Sequence, residues 1–122
     1  MLANETLKAF VPTVKPGEAK VFYQDVLGLM LLSEDEYALE FNSNGTLLRV
    51  ITVPELKPHA FTAIGWGVND ITATIQALNG KGVFCEKYDF LPHDDLGIWT
   101  SPSGAKVAWF RDPDGNILSL SE

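Results

Sequence analysis

The chain alternates short apolar-polar strand patterns with two segments of helical period. Residues 8–14, KAFVPTV, read as a short strand, with Pro12 suiting an edge or a bulge. In the next stretch, KPGEAKVFYQDVLG, Pro16 fits a first helical turn. Ala19, Phe22, Tyr23, Val26 and Leu27 recur at the spacing of one helical face, and Gly28 ends it. LMLLSED is a further candidate strand. The clearest local signal is EYALEFNSNGTLLRVITV, because Asn44-Gly45 is the preferred centre of a two-residue hairpin turn. That register sets Ser43 opposite Thr46, Phe41 opposite Leu48, Leu39 opposite Val50 and Glu40 opposite Arg49. Tyr37, Leu39, Phe41, Leu48 and Val50 then make a core face, and the opposite face is mixed.

After a short linker, PELKPH, the order returns. FTAIGWGV reads as a strand. NDITATIQALNGKG reads as a helix with Asp70 as its N-cap and Ile71, Ile75 and Leu78 on its apolar face. VFCEKYDF, a piece around LGIWTS, AKVAWFR and NILSLSE are the strands expected next, with turns at Ser103-Gly104 and Asp114-Gly115. The expectation is an α+β fold of two βαβββ modules. Module one covers about 8–53, the linker 54–59 and module two about 60–122, in a single domain.

Three stretches, AKVFYQDVLGL (19–29), GWGVNDI (65–71) and FRDPDGNILSL (110–120), resemble the vicinal oxygen chelate superfamily. Glyoxalase I, extradiol dioxygenases, fosfomycin-modifying enzymes and bleomycin resistance proteins belong to it. The resemblance implies curved sheets around a cleft, built within one chain or across a dimer, with a homodimer as the default. It also implies four metal ligands, one from the first and one from the last strand of each module. Counting back from Val14 and Val68 and forward from Gly115, those places fall on Ala9, Arg49, Ala63 and Ser119. Two methyls, a hydroxyl and a fixed cation cannot hold a divalent ion, which needs O and N donors. No metal and no other cofactor is therefore expected, and metal-dependent glyoxalase or dioxygenase activity is not.

Strand alternation gives the cleft face these positions: Ala9, Val11 and Thr13; Glu40, Arg49 and Ile51; Ala63, Gly65 and Gly67; Ile117, Ser119 and Ser121. Arg49 is either an anchor for an anion or the partner of Glu40. Gly65 and Gly67 mark either a hollow or close packing. Tyr88 and Trp99 flank the loop FLPHDDLG and are candidates to line the cleft mouth. His93 in that loop and Glu40 are the candidate catalytic bases. Trp66 is assigned to the core, Cys85 reads as an inert buried thiol, and Trp109 and Phe110 compete for the inward position.

The formal net charge of −7 disfavours nucleic acid and anionic membrane as partners. No apolar run approaches the roughly eighteen residues of a membrane span, and the N-terminal stretch lacks signal-peptide design. A single cysteine fits a reducing, cytoplasmic setting. The function these readings favour is metal-independent binding of a small molecule, with antibiotic sequestration as the example the resemblance supplies. The alternatives are a metal-free lyase or isomerase using Arg49 with His93 or Glu40, and a non-catalytic protein-association module.

Overall fold

A computed structural model describes residues 1–122. The chain divides into two compact units, Met1–Lys57 and Pro58–Glu122, each with a four-stranded mixed sheet.

The first unit runs β1 (Lys8–Thr13), α1 (Pro16–Val21), β2 (Met30–Glu34), β3 (Ala38–Ser43) and β4 (Thr46–Thr52), in the sheet order β1-β4-β3-β2. Strand β1 is parallel to β4, as a strand reached through a helix and a hairpin can be, and the other pairs are antiparallel. The hairpin register is as expected: Phe41 faces Leu48, Leu39 faces Val50 and Glu40 faces Arg49. Asn44 and Gly45 both take positive φ (49° and 92°), as a type I′ turn requires. Phe41, Val50 and Leu48 are buried as the core face, but Tyr37 is exposed. It precedes β3, in a turn where Asp35 Oδ1 accepts the Tyr37 and Ala38 N–H groups, so the strand's alternation never reaches it.

The first helix departs from its expected form. After α1 the chain widens into one π turn, Phe22–Val26. Phe22 and Tyr23 both enter the core, with ring centroids 5.1 Å apart, edge to face. Val26 and Leu27 are left half-buried.

The second unit runs β5 (Thr62–Gly67), α2 (Ile71–Gly80), β6 (Trp99–Thr100), β7 (Lys106–Arg111) and β8 (Ile117–Ser121), ordered β5-β8-β7-β6. Asp70 caps α2 by accepting the Ala73 N–H at 3.0 Å, and Ile71, Ile75 and Leu78 are buried beneath it. Glu122 adds a second cap from β8's end, its Oε1 accepting the Ile71 N–H at 2.9 Å.

VFCEKYDF is not a strand. From 83 to 98 the backbone is irregular, and LGIWTS contributes only Trp99–Thr100 to the sheet. Pro92 cannot donate to a ladder, and side chains take up several backbone groups instead: His93 accepts the Tyr88 N–H, and Asp94 accepts from Leu96 and Ile98. Phe84 and Phe90, which a strand would place on one face, both stay exposed.

Candidate functional site

The turn Asp112-Pro113-Asp114-Gly115 sets the geometry of the second sheet. Asp112 is buried; its Oδ1 accepts the Asp114 and Asn116 N–H groups, and its Oδ2 accepts from the Asn116 amide. Gly115 takes a positive φ of 86° and donates its N–H to Asp112 O. This clasp fixes β8 against β7, with Trp109 opposite Ser119 and Arg111 opposite Ile117. Ala108, Phe110, Leu118 and Leu120 are buried on the core face. Trp109 therefore points to the open face, together with Arg111, Ile117 and Ser119. That resolves the competition between Trp109 and Phe110.

Gly65 stands opposite Ser119 in β5. A Cβ at 65 would overlap the Ser119 hydroxyl, so Gly65 is bare because Ser119 occupies the space. At Gly67 a Cβ would meet nothing within 4 Å, and Ala63 is exposed. Trp66 is half-buried on the core side, opposite Leu120.

The 83–98 segment lies along this open face. The Glu86 N–H donates to Trp109 O at 2.7 Å, and Glu86 Oε1 accepts from Arg111 Nε at 2.8 Å. Tyr88 meets Trp109 with ring centroids 5.7 Å apart and stacks on Phe90 at 5.5 Å. Trp99 lies 6.2 Å from Trp109. His93 is committed to the segment itself: its Nε2 accepts the Tyr88 N–H at 3.0 Å and its Nδ1–H donates to Gly97 O at 2.8 Å. With both ring nitrogens bonded, His93 acts here as a fastener rather than an open base.

Between the segment and the strands is a hollow of about 430 Å³, lined by Phe61, Tyr88, Phe90, Trp109, Arg111 and Ile117, with Ala60, Thr62 and Leu91. Ile117 is buried although its strand position is on the open face. Burial raises the Tyr88 hydroxyl above its ordinary pKa, with Arg111 opposing and Glu86 adding to the shift. Burial, then the charges of Asp94 and Glu86, push the Cys85 thiol up to about 11.

In the first unit the open face carries Arg49. Its Nη1 donates to Glu40 Oε2 at 2.9 Å, with the two side chains 31% and 18% exposed. The cross-strand ion pair, one of the two expectations for Arg49, is the arrangement the structure shows.

The β1 expectation needs correction. Parallel pairing sets Ala9 beside Leu48 and Val11 beside Val50, on the core face, while Phe10 is beside Arg49. Val11 and Thr13 are buried, and Phe10 is 55% exposed. The cause is a one-residue error in matching the modules. Thr13, not Val14, lies two residues before the helix N-cap (Lys15), as Val68 lies two before Asp70. Counting from Thr13 moves the first-strand position to Lys8.

The four strand positions thus carry Lys8, Arg49, Ala63 and Ser119, a set with no acidic or imidazole donor. No group of three or more His, Cys, Asp or Glu side chains is placed to hold a metal ion. The donor set does not fit the metal that the fold resemblance implies.

Sequence reasoning named Tyr88 and Trp99 as candidates to line a cleft and left Trp109 in competition with Phe110, but did not name Phe61, Phe90 or Arg111. Reading VFCEKYDF as a strand hid them. The signal available in the sequence was Asp89 near the end of VFCEKYDF and Pro92, His93, Asp94 and Asp95 just after it, which favour irregular backbone.

Comparisons with known proteins bear on the family and the fold. A family model described as Glyoxalase/Bleomycin resistance protein/Dioxygenase superfamily matches residues 7–120. YraH of Bacillus subtilis (strain 168), an uncharacterized protein, is 33% identical over 115 residues, covering 81% of this chain and 83% of its own length. A glyoxalase family protein from Enterococcus faecalis shares the fold at a TM-score of 0.71 and 23% identity, covering 100% of both chains. The lactoylglutathione lyase from Agrobacterium tumefaciens does so at a TM-score of 0.76 and 14% identity, covering 100% of this chain and 96% of its own.

Proposed function

From the premise that this chain belongs to the Glyoxalase/Bleomycin resistance protein/Dioxygenase superfamily, we propose that it binds a small organic molecule without a metal ion. The observation that carries the reading is the aromatic hollow of about 430 Å³ on a sheet face that has no metal-donor set. A site of that size takes a drug-sized ligand, and a lining of large apolar rings with one polar anchor is the usual construction of such sites. Ser119 lies on the same face as Trp109, and Trp99 backs the Trp109 ring. The Arg49–Glu40 pair is on the other sheet, outside the lining of this hollow.

Sequestration of an antibiotic is one form this activity takes, and the description of the matching family model, which includes bleomycin resistance proteins, supports it. Enzymatic turnover through His93 is less supported, because its own loop uses both ring nitrogens. A cytoplasmic homodimer completes the proposal. The lone free thiol supports the compartment, and the exposed Met30 and Leu32 on the edge strand β2 support self-association.

A thermal-shift screen against antibiotics and small organic acids, run with and without a chelator, tests the reading. It expects ligand-induced shifts that the chelator leaves unchanged. Shifts abolished by chelation would overturn metal independence, and a screen with no shift at all would overturn small-molecule binding.

A further inference from the structure

The chemistry of the hollow's lining narrows the class of ligand. Four of its residues are aromatic: Phe61, Tyr88, Phe90 and Trp109. Two of these rings remain open to water, Phe61 at 64% and Phe90 at 80% exposure. Tyr88 and Phe90 are stacked with planes 22° apart, and Trp109 meets Tyr88 at 65°, so flat walls stand on more than one side. Exposed aromatic surface beside a concave site costs free energy that a stacked ligand ring recovers.

The only charged side chain in the lining is Arg111. Its Nε–H is bonded to Glu86 and one Nη1–H to Gly115 O. A guanidinium has five N–H groups, so three remain for a ligand. The Glu86 bond holds the fork in place, which reduces the entropy lost when it grips an acceptor. A cationic ligand would have to sit beside this guanidinium. The chain's net charge of −7 opposes an anion at long range, but salt screens that field beyond about 8 Å under physiological conditions, whereas a direct charge-assisted bond is screened much less.

We propose that the hollow formed by β5, β7, β8 and the 83–98 segment binds planar aromatic molecules bearing a carboxylate. The rings lie among Phe61, Tyr88, Phe90 and Trp109, and the carboxylate takes the free N–H groups of Arg111. This rests on the small-molecule reading above and specifies its ligand class.

The test uses the full chain and three probes that share one ring system and differ in the charge of the substituent: naphthoate, naphthalenemethanol and naphthylmethylammonium. Affinity is measured by calorimetry, and the site is located by the NMR shift of the Trp109 indole N–H. Naphthoate is expected to bind about tenfold or more tighter than the ammonium probe, as a charge-assisted bond replaces a like-charge contact. Phe90→Ala removes an exposed ring and should weaken naphthoate about three- to tenfold. Glu86→Gln removes the charge competing for Arg111 and should tighten naphthoate about threefold, whereas a merely structural Glu86 would give no gain. Arg111→Gln should erase the preference for the acid.

Equal affinity for the three probes, or preference for the ammonium, with Phe90→Ala still weakening binding, would overturn the carboxylate assignment while the small-molecule reading stands. Naphthoate binding that leaves the Trp109 signal unmoved would overturn the location. If none of the probes binds at millimolar concentration, the assignment of the hollow to aromatic ligands is wrong, and the broader reading is then decided by the thermal-shift screen alone.

Discussion

Gly97→Ala tests how the wall of the hollow is held. Gly97 is buried, with φ of 94°, in the left-handed region. A Cβ there would lie 2.8 Å from the Cys85 Cβ and 3.4 Å from the Glu86 carbonyl oxygen. Two costs add. The backbone term for a non-glycine residue in this region is about 1–2 kcal/mol. Overpacking against Cys85 adds about 1–3 kcal/mol, because a Cβ cannot rotate out of the way. The sum is about 2–5 kcal/mol, or a fall of about 8–20 °C in Tm for a chain of this size. Two readouts apply: urea melts for stability and the rate of thiol labelling for local opening. The paired variant Cys85→Gly with Gly97→Ala separates the terms. It should recover the steric part and leave the backbone part, beyond the cost of Cys85→Gly alone. A Gly97→Ala loss under about 0.5 kcal/mol, or no recovery in the pair, would refute the claim that Cys85 and Gly97 are packed in contact to close the segment.

Asp70→Ala should destabilise the protein by about 1 kcal/mol in denaturant melts, the usual worth of an N-cap bond, with Glu122 still holding the Ile71 N–H. Arg49→Met should cost about 1–3 kcal/mol by leaving Glu40 unpaired, and adding Glu40→Gln should return part of it in a double-mutant cycle. Cys85, pushed up to about 11 from 9.0, should label about a hundredfold more slowly at pH 8 in the native than in the unfolded chain, by thiolate fraction. The same shift has a stability consequence. The unfolded thiol ionises first, so its contribution is complete below about pH 9 and disappears as pH rises through 11. Asp35 has the opposite sign: the Tyr37 and Ala38 N–H groups lower its pKa below 3.8, so its contribution is present above that value and is lost as pH falls below it, which an acid melt of Asp35→Asn should lack.

The hairpin and α2 could be read from sequence because local chemistry decides them. Asn44-Gly45 fixes one register, and Asp70 with Ile71, Ile75 and Leu78 fixes one helix start and face. Three features depended on information outside the local pattern. The π turn at Phe22–Val26 is not encoded in helical periodicity, which places Phe22 and Tyr23 on one apolar face without it. The face of Ala9 depended on a single residue of spacing before α1, and a one-residue slip exchanges the faces of a strand. The 83–98 segment carries strand-like residues, but side-chain bonds from His93 and Asp94 take up backbone donors of the segment. The hollow is built on that segment, so its lining escaped a pattern-based reading even though Tyr88 did not.

The central claim is that this member of the superfamily presents Lys8, Arg49, Ala63 and Ser119 where a metal would require donors. Calorimetric titration of the purified chain with zinc and nickel tests it most directly. The account predicts no saturable binding of either ion at the stoichiometry of one per chain, and naphthoate binding unchanged by the ions or by a chelator. Saturation at one ion per chain, with ligand binding lost when the ion is removed, would contradict it.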